Sequence, residues 1–239
     1  MRIVRLIKSL IMLLVIQGAI SCTSATEERG AKAVADLYGG EVVISKGANA
    51  TTEADEFQGE YLKIKLANPS LAESFHDLRI PASFTAAIVY GALTPAEQKK
   101  YAYIVVGIEN GSDSHEFKFK SPVLISINNA LADVNALLIN LQTEDSVKVL
   151  EAFNTRVVSS EKQADIPVML GRIARQLNPI SNYMIIGSEV GEIKIAKQKT
   201  KLVRLFVRVE HNGKWTQMVL AVNPAMHPDQ QFLYGLQLP

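Results

Sequence analysis

Between Leu202 and Val222 the residues alternate around Asn212-Gly213 in a way that one arrangement satisfies best. Asn-Gly is the preferred pair for a two-residue type I′ turn, whose twist matches the strands that it joins. Such a turn sets Val209 opposite Thr216, Val207 opposite Met218, Leu205 opposite Leu220 and Val203 opposite Val222, so one face is continuous and apolar. The other face carries Glu210 with Trp215, Arg208 with Gln217, Phe206 with Val219 and Arg204 with Ala221. The apolar face has to be covered by helices, which makes the chain α+β.

The flanking segments supply both the strands and the helices. Residues 183–186, 192–196 and 231–238 extend the hairpin into an antiparallel meander. Residues 129–153 carry Leu131, Val134, Leu137, Leu138, Leu141 and Val147 at helical spacing, with a bend near Thr143, and residues 165–177 form a second amphipathic helix. Nearer the N-terminus, a helix over 27–38 ends at Gly39-Gly40, and strands 41–45 and 60–66 flank an exposed loop over 47–59. Two helical pieces, 70–77 and 82–93, break around Pro81, and Thr94-Pro95-Ala96-Glu97 has the capping-box form with proline at the first helical position. Strand 101–109 pairs with 116–120 across Asn110-Gly111-Ser112-Asp113, with Ile108 opposite His115, Val106 opposite Phe117 and Ile104 opposite Phe119.

From about Ala130 to Leu238, the order of helix, helix and curved meander resembles the cone-shaped (cystatin-like α+β) domains related to nuclear transport factor and to bacterial periplasmic lipoproteins of unknown function. Leu170-Gly171, the 203–222 hairpin and residues 232–238 carry the likeness. The resemblance implies a fold and a cavity, but no reaction, because such domains include isomerases, dehydratases and pure binding or assembly modules. The proton-moving enzymes among them use a carboxylate or histidine inside the cone, and the apolar face of this hairpin has no Asp, Glu or His. The expected organisation is a signal peptide over 1–21, a polar tether over 22–30, an N-terminal α+β domain over 31–128 and a cone-like domain over 129–239. The similar runs before the two Asn-Gly turns, residues 105–109 and 206–210, are what a duplication would leave, and also what unrelated hairpins show for conformational reasons.

The first residues specify an address. Arg2, Arg5 and Lys8 lead into the apolar run 10–16, and Gly18-Ala19-Ile20-Ser21 then meets Cys22, the only cysteine. This is an export signal, too short to remain as a spanning helix of about 20 residues. Ala19 and Ser21 fit ordinary signal peptidase, while Ala-Ile-Ser-Cys resembles the bacterial lipobox, in which the cysteine is lipidated and becomes the first residue. A lone thiol in an oxidising compartment favours a capped cysteine. Two or more acyl chains at Cys22 would then anchor the protein stably in the cell envelope, on the periplasmic face or the cell surface. Cleavage removes three basic side chains and leaves 22 basic against 24 acidic residues, a net charge of −2 that gives no reason to expect nucleic acid as a partner.

No phosphate loop, nucleophile elbow, paired-cysteine site or His-Glu-x-x-His helix is present, so neither a catalytic motif nor a cofactor motif is legible. His76, His115, His211 and His227 lack the short spacings of metal ligands. Lys194, Lys197, Lys199, Lys201, Arg204 and Arg208 form a basic stretch of the kind that a solvated sheet face also gives. The candidate contact surface for an envelope protein partner is Arg204, Phe206, Arg208 and Trp215, with Arg208 within cation–π reach of the indole. The alternative, a small-molecule cavity protein, isomerase or hydrolase, would use polar groups such as Tyr183 at the cone mouth and would be favoured by Asp165 or Glu192 pointing inward.

Overall fold

The computed structural model describes residues 23–50, 57–111, 113–143, 146–157, 163–177, 179–195, 198–226 and 230–238. Helix α1 (Ala25–Tyr38) opens with a complete capping box. The Ser24 hydroxyl accepts the Glu27 N–H, and the Glu27 side chain accepts the Ser24 N–H. The polar tether expected over 22–30 is therefore corrected, because residues from Ala25 onward are helical and Glu27 is only 1% exposed. Gly39 ends the helix at φ 73°.

Strands β1 (Glu41–Asn49) and β2 (Gly59–Ala67) pair antiparallel, and β1 runs through part of the expected loop. From β2 the chain crosses over through α2 (Leu71–Ser74), α3 (Arg79–Ala92) and α4 (Pro95–Lys100), so that β3 (Tyr103–Asn110) joins β2 in parallel. Pro81 does not break a helix as expected. It lies in the first turn of α3, where a missing N–H leaves no bond unmade. The capping box at Thr94 forms as expected, with Glu97 as its partner. Strand β4 (Asp113–Lys120) pairs with β3 in the register read from the sequence, and the first sheet has the order β1-β2-β3-β4.

Helix α5 (Ser121–Gln142) begins directly after β4, with proline in its first turn. The boundary expected between residues 128 and 129 falls inside this helix and is corrected: Leu124 and Ile127, before that boundary, belong to the same buried stripe as Val134, Leu137 and Leu138 after it. The expected bend is found at Thr143, which caps α5 before α6 (Ser146–Ala152). A 3-10 turn (Thr155–Val157) and α7 (Ile166–Leu177) lead into the second sheet. Helix α5 is long and apolar enough to cross a membrane, yet it packs one face into the core and buries Asp133 there.

The second sheet is an antiparallel meander of β5 (Ile180–Ile195), β6 (Gln198–His211), β7 (Lys214–Val222) and β8 (Leu233–Gln237). The two strands expected over 183–186 and 192–196 are one strand, kinked where its register shifts between Ile180 and Asn182 and between Ile185 and Gly187. The central hairpin has the expected register at every pair, and Asn212 and Gly213 both take positive φ (49° and 70°) as a type I′ turn requires. The α+β class is thus shown. Duplicated halves are not, because the first sheet contains a parallel pair and the second is wholly antiparallel.

Both sheets share one apolar core, and α3 lies between them with its residues buried on nearly every side, from Pro81 through Tyr90. Close approach is possible because many of the buried side chains, Ala82, Ser83, Ala86 and Ala87 among them, are small. At Gly187 of β5 a Cβ would stand 2.4 Å from the Cγ2 of Ile80 in α3, so the helix rests on a bare backbone there. Gly187→Ala should force the two apart and cost about 1–3 kcal/mol. The check is thermal unfolding of the purified variant, where a melting temperature equal to that of the parent would show that the contact is not tight.

Candidate functional site

The four residues proposed as a contact surface share the outer face of β6 and β7, as their alternation requires, but they do not form one open patch. Arg204 is ion-paired with Glu189 of the adjacent strand at 2.8 Å. Phe206 is half-buried opposite Gly187, where the N-terminal end of α3 covers the sheet. Arg208 lines a groove with Tyr38, Phe75 and Met184, and among the described residues it makes no cation–π contact with Trp215, contrary to the expected diagonal. Trp215, beside the Asn212-Gly213 turn and opposite Glu210, is the residue that remains free, at 46% exposure.

A second feature lies where the sheets meet. A cleft of about 390 Å³ opens between α3, β4 and β5. Helix α3 contributes Arg79 and Ser83, β4 contributes Lys118, Phe119 and Lys120, and β5 contributes Ser188, Glu189 and Val190, with Phe57 closing one side. Arg79 lies over the Phe119 ring at 5.7 Å, and Lys118 and Lys120 lie over the Phe57 ring at 5.6 and 5.5 Å. Ser83 and Ser188, both buried, share a hydrogen bond of 2.9 Å that ties α3 to β5. None of these groups stands out in the sequence, because Arg79, Lys118 and Ser188 come from distant segments that only the crossover and the kinked β5 bring together. The nearest signal was the alternation of Glu116, Lys118 and Lys120 with Phe117 and Phe119, which marks a charged face but not what it faces.

The remaining candidates are dispersed. His76 and His115 are exposed, and His227 lies outside the described residues. His211 Nε2 is 2.8 Å from Thr216 Oγ1. No group of three or more His, Cys, Asp or Glu suited to a metal occurs among the described residues. Asp165 is exposed, and Glu192 is exposed and paired with Lys199 at 3.3 Å, so neither points inward. Tyr183 packs half-buried against the core. The basic stretch is partly neutralised in the same way, by Glu189 and Glu192, while Lys201 donates to Ser126 and Lys197 lies outside the described residues. The inner face of the second sheet is filled by Val203, Leu205, Val207, Met218, Leu220 and Val222, all buried. Cys22 lies outside the described residues. Compared with protein-family models, curated proteins and solved structures, the chain matches none.

The point where the chain enters the fold is unusually well tied. The buried Glu27 carboxylate accepts from the Tyr101 hydroxyl at 2.8 Å and is ion-paired with Lys46 at 2.9 Å. Beside it, Thr26 donates to Glu97, whose carboxylate also closes the α4 capping box. Hydrogen bonds from Ser24, from the Thr94 N–H and from the Thr26 and Thr94 hydroxyls pull the Glu97 carboxyl down from the usual 4.5 to about 2. A depressed carboxyl stabilises the fold fully above its unfolded value and ceases to do so as pH falls through its folded one. The melting temperature should therefore fall on acidification from about 4.5 towards 2, and Glu97→Gln should flatten that part of the profile. An identical slope in both proteins would show that the α1–α4 joint does not depend on this charge.

Proposed function

We propose that the protein is an exported lipoprotein, anchored through acylated Cys22 in a bacterial cell envelope, that serves as a non-catalytic binding or assembly factor. The observation that carries this reading is the junction of the export signal with a single cysteine, followed at Ser24 by a residue already bonded into the folded body. Only Thr23 lies between them, so a lipid on Cys22 would hold Ser24 within about 7 Å of the acylated residue. The likeness of residues 130–238 to cone-shaped envelope domains agrees with it, as an analogy of fold alone.

For a protein partner, the exposed indole of Trp215 is the best-placed anchor. Large aromatic side chains bury much area at little entropic cost, and this one stands at the end of a hairpin where it does not support the core. Arg208 lies on the same face one pair further along the strands, while Phe206, partly covered by α3, and Arg204, held by Glu189, contribute less.

Cys22→Ser should move the protein from the membrane fraction to the soluble exported fraction, read by fractionation of the native host. Retention in membranes after a salt wash would refute the anchor. Trp215→Ala should weaken capture of envelope partners about tenfold or more while leaving thermal unfolding cooperative. Loss of cooperative unfolding would instead assign the indole to the core.

A further inference from the structure

We propose that the cleft between α3, β4 and β5 binds a small organic anion, with its charged head between Arg79 and Lys118 and its apolar body against Phe57 and Val190. This site is separate from the Trp215 face and does not depend on the membrane anchor.

Charge is the first argument. Arg79 and Lys118 engage only ring faces, Phe119 and Phe57, and neither has a carboxylate partner among the described residues. A ring face leaves the cation's charge uncompensated. Among the described residues the one carboxylate that lines the cleft, Glu189, is already engaged by Arg204 at 2.8 Å. Two elements from distant parts of the chain thus present positive charge to the same space, in the forked and point-like forms that together suit a carboxylate or phosphate group.

The hydroxyl pair in the cleft lining is the second argument. Ser83 and Ser188 are 3% and 0% exposed, and the only side-chain hydrogen bond that either makes among the described residues is to the other. Two hydroxyls carry two protons, and the mutual bond uses one. The other O–H, buried in a wall of the cleft, is a donor that still needs an acceptor, and the oxygen of an anion would supply one. The volume, about 390 Å³, lies within the range of small-ligand sites, and the position between two sheets is a common one for them.

The test uses the mature protein in mild detergent, with phenyl phosphate and benzoate as anionic probes and benzyl alcohol as the neutral one, read by saturation-transfer NMR titration. Both anions should bind more tightly than the alcohol. Arg79→Gln and Lys118→Gln should each weaken the anions about tenfold, and Glu189→Gln, which removes the acidic group and releases Arg204, should tighten them. The opposite signs keep the test decisive even if one variant fails to fold. Equal binding of charged and neutral probes, no binding of either anion, or variants that leave anion affinity unchanged would each overturn the proposal.

Discussion

The structure depends on one helix buried between two sheets. Helix α3 lies against β3 and β4 on one side and β5 on the other, and it can do so because many of its buried residues are small and β5 offers a glycine to Ile80. Ile80 sits on the bare backbone of Gly187, and α1 closes on α3 through Gly30, where a Cβ would come within 3.0 Å of the Val89 Cα. Packing at this range leaves no room for a layer of solvent, so the sheets share one core. Tyr38 reinforces the same junction. Its hydroxyl, whose proton is held more tightly than usual because the ring is buried, donates to the Ile186 carbonyl at 2.9 Å.

The same packing creates the cleft. The cleft lies beside the first turns of α3, between β4 and β5, the edge strands that the two sheets present to it. There Arg79, in the first turn of α3, meets Lys118 and Lys120, which alternation places on the face of β4 opposite its core phenylalanines. The basic residues further along β6 behave differently. Arg204 pairs with Glu189 directly across from it in β5, and Lys199 pairs with Glu192 on the diagonal, so the second sheet neutralises part of its own charge, whereas Arg79 and Lys118 at the seam have no carboxylate partner among the described residues.

What the sequence revealed and what it hid follow from the range of the interactions involved. Both hairpins could be placed residue by residue, because the turn pair and the alternation are local and jointly fix the register. Features decided by distant contacts were misread. Pro81 looks like a break until its place in a first turn is known, and Gly187 and Gly191 look like strand ends although one is where a helix rests on the strand. The first turns of α5 fell before the expected helix start at residue 129 because Pro122 and an apolar run can begin a helix as easily as end a domain. The contact quartet was placed correctly on one face, but no pattern within β6 could show that α3 and Glu189 occupy half of it. The cleft was hidden for the same reason, since its residues stand as much as 133 positions apart, from Phe57 to Val190.

The tie at the entry point bears on how an anchored protein could work. A long polar leash lets a domain sample many orientations above a bilayer, whereas here Glu27, fixed by Lys46 and Tyr101, holds the start of α1 against β1 and the approach to β3. A buried carboxylate with these partners is costly to separate from them, because the charge would remain without compensation. The start of the body therefore does not fray, and any pull from a lipid at Cys22 passes through Thr23 directly into the first sheet. On the proposed anchoring, a protein attached so closely would give up reach and gain a preferred orientation: the capped ends of α1 and α4 would lie towards the lipid, and a partner would approach from the remaining faces, among them the hairpin that carries Trp215.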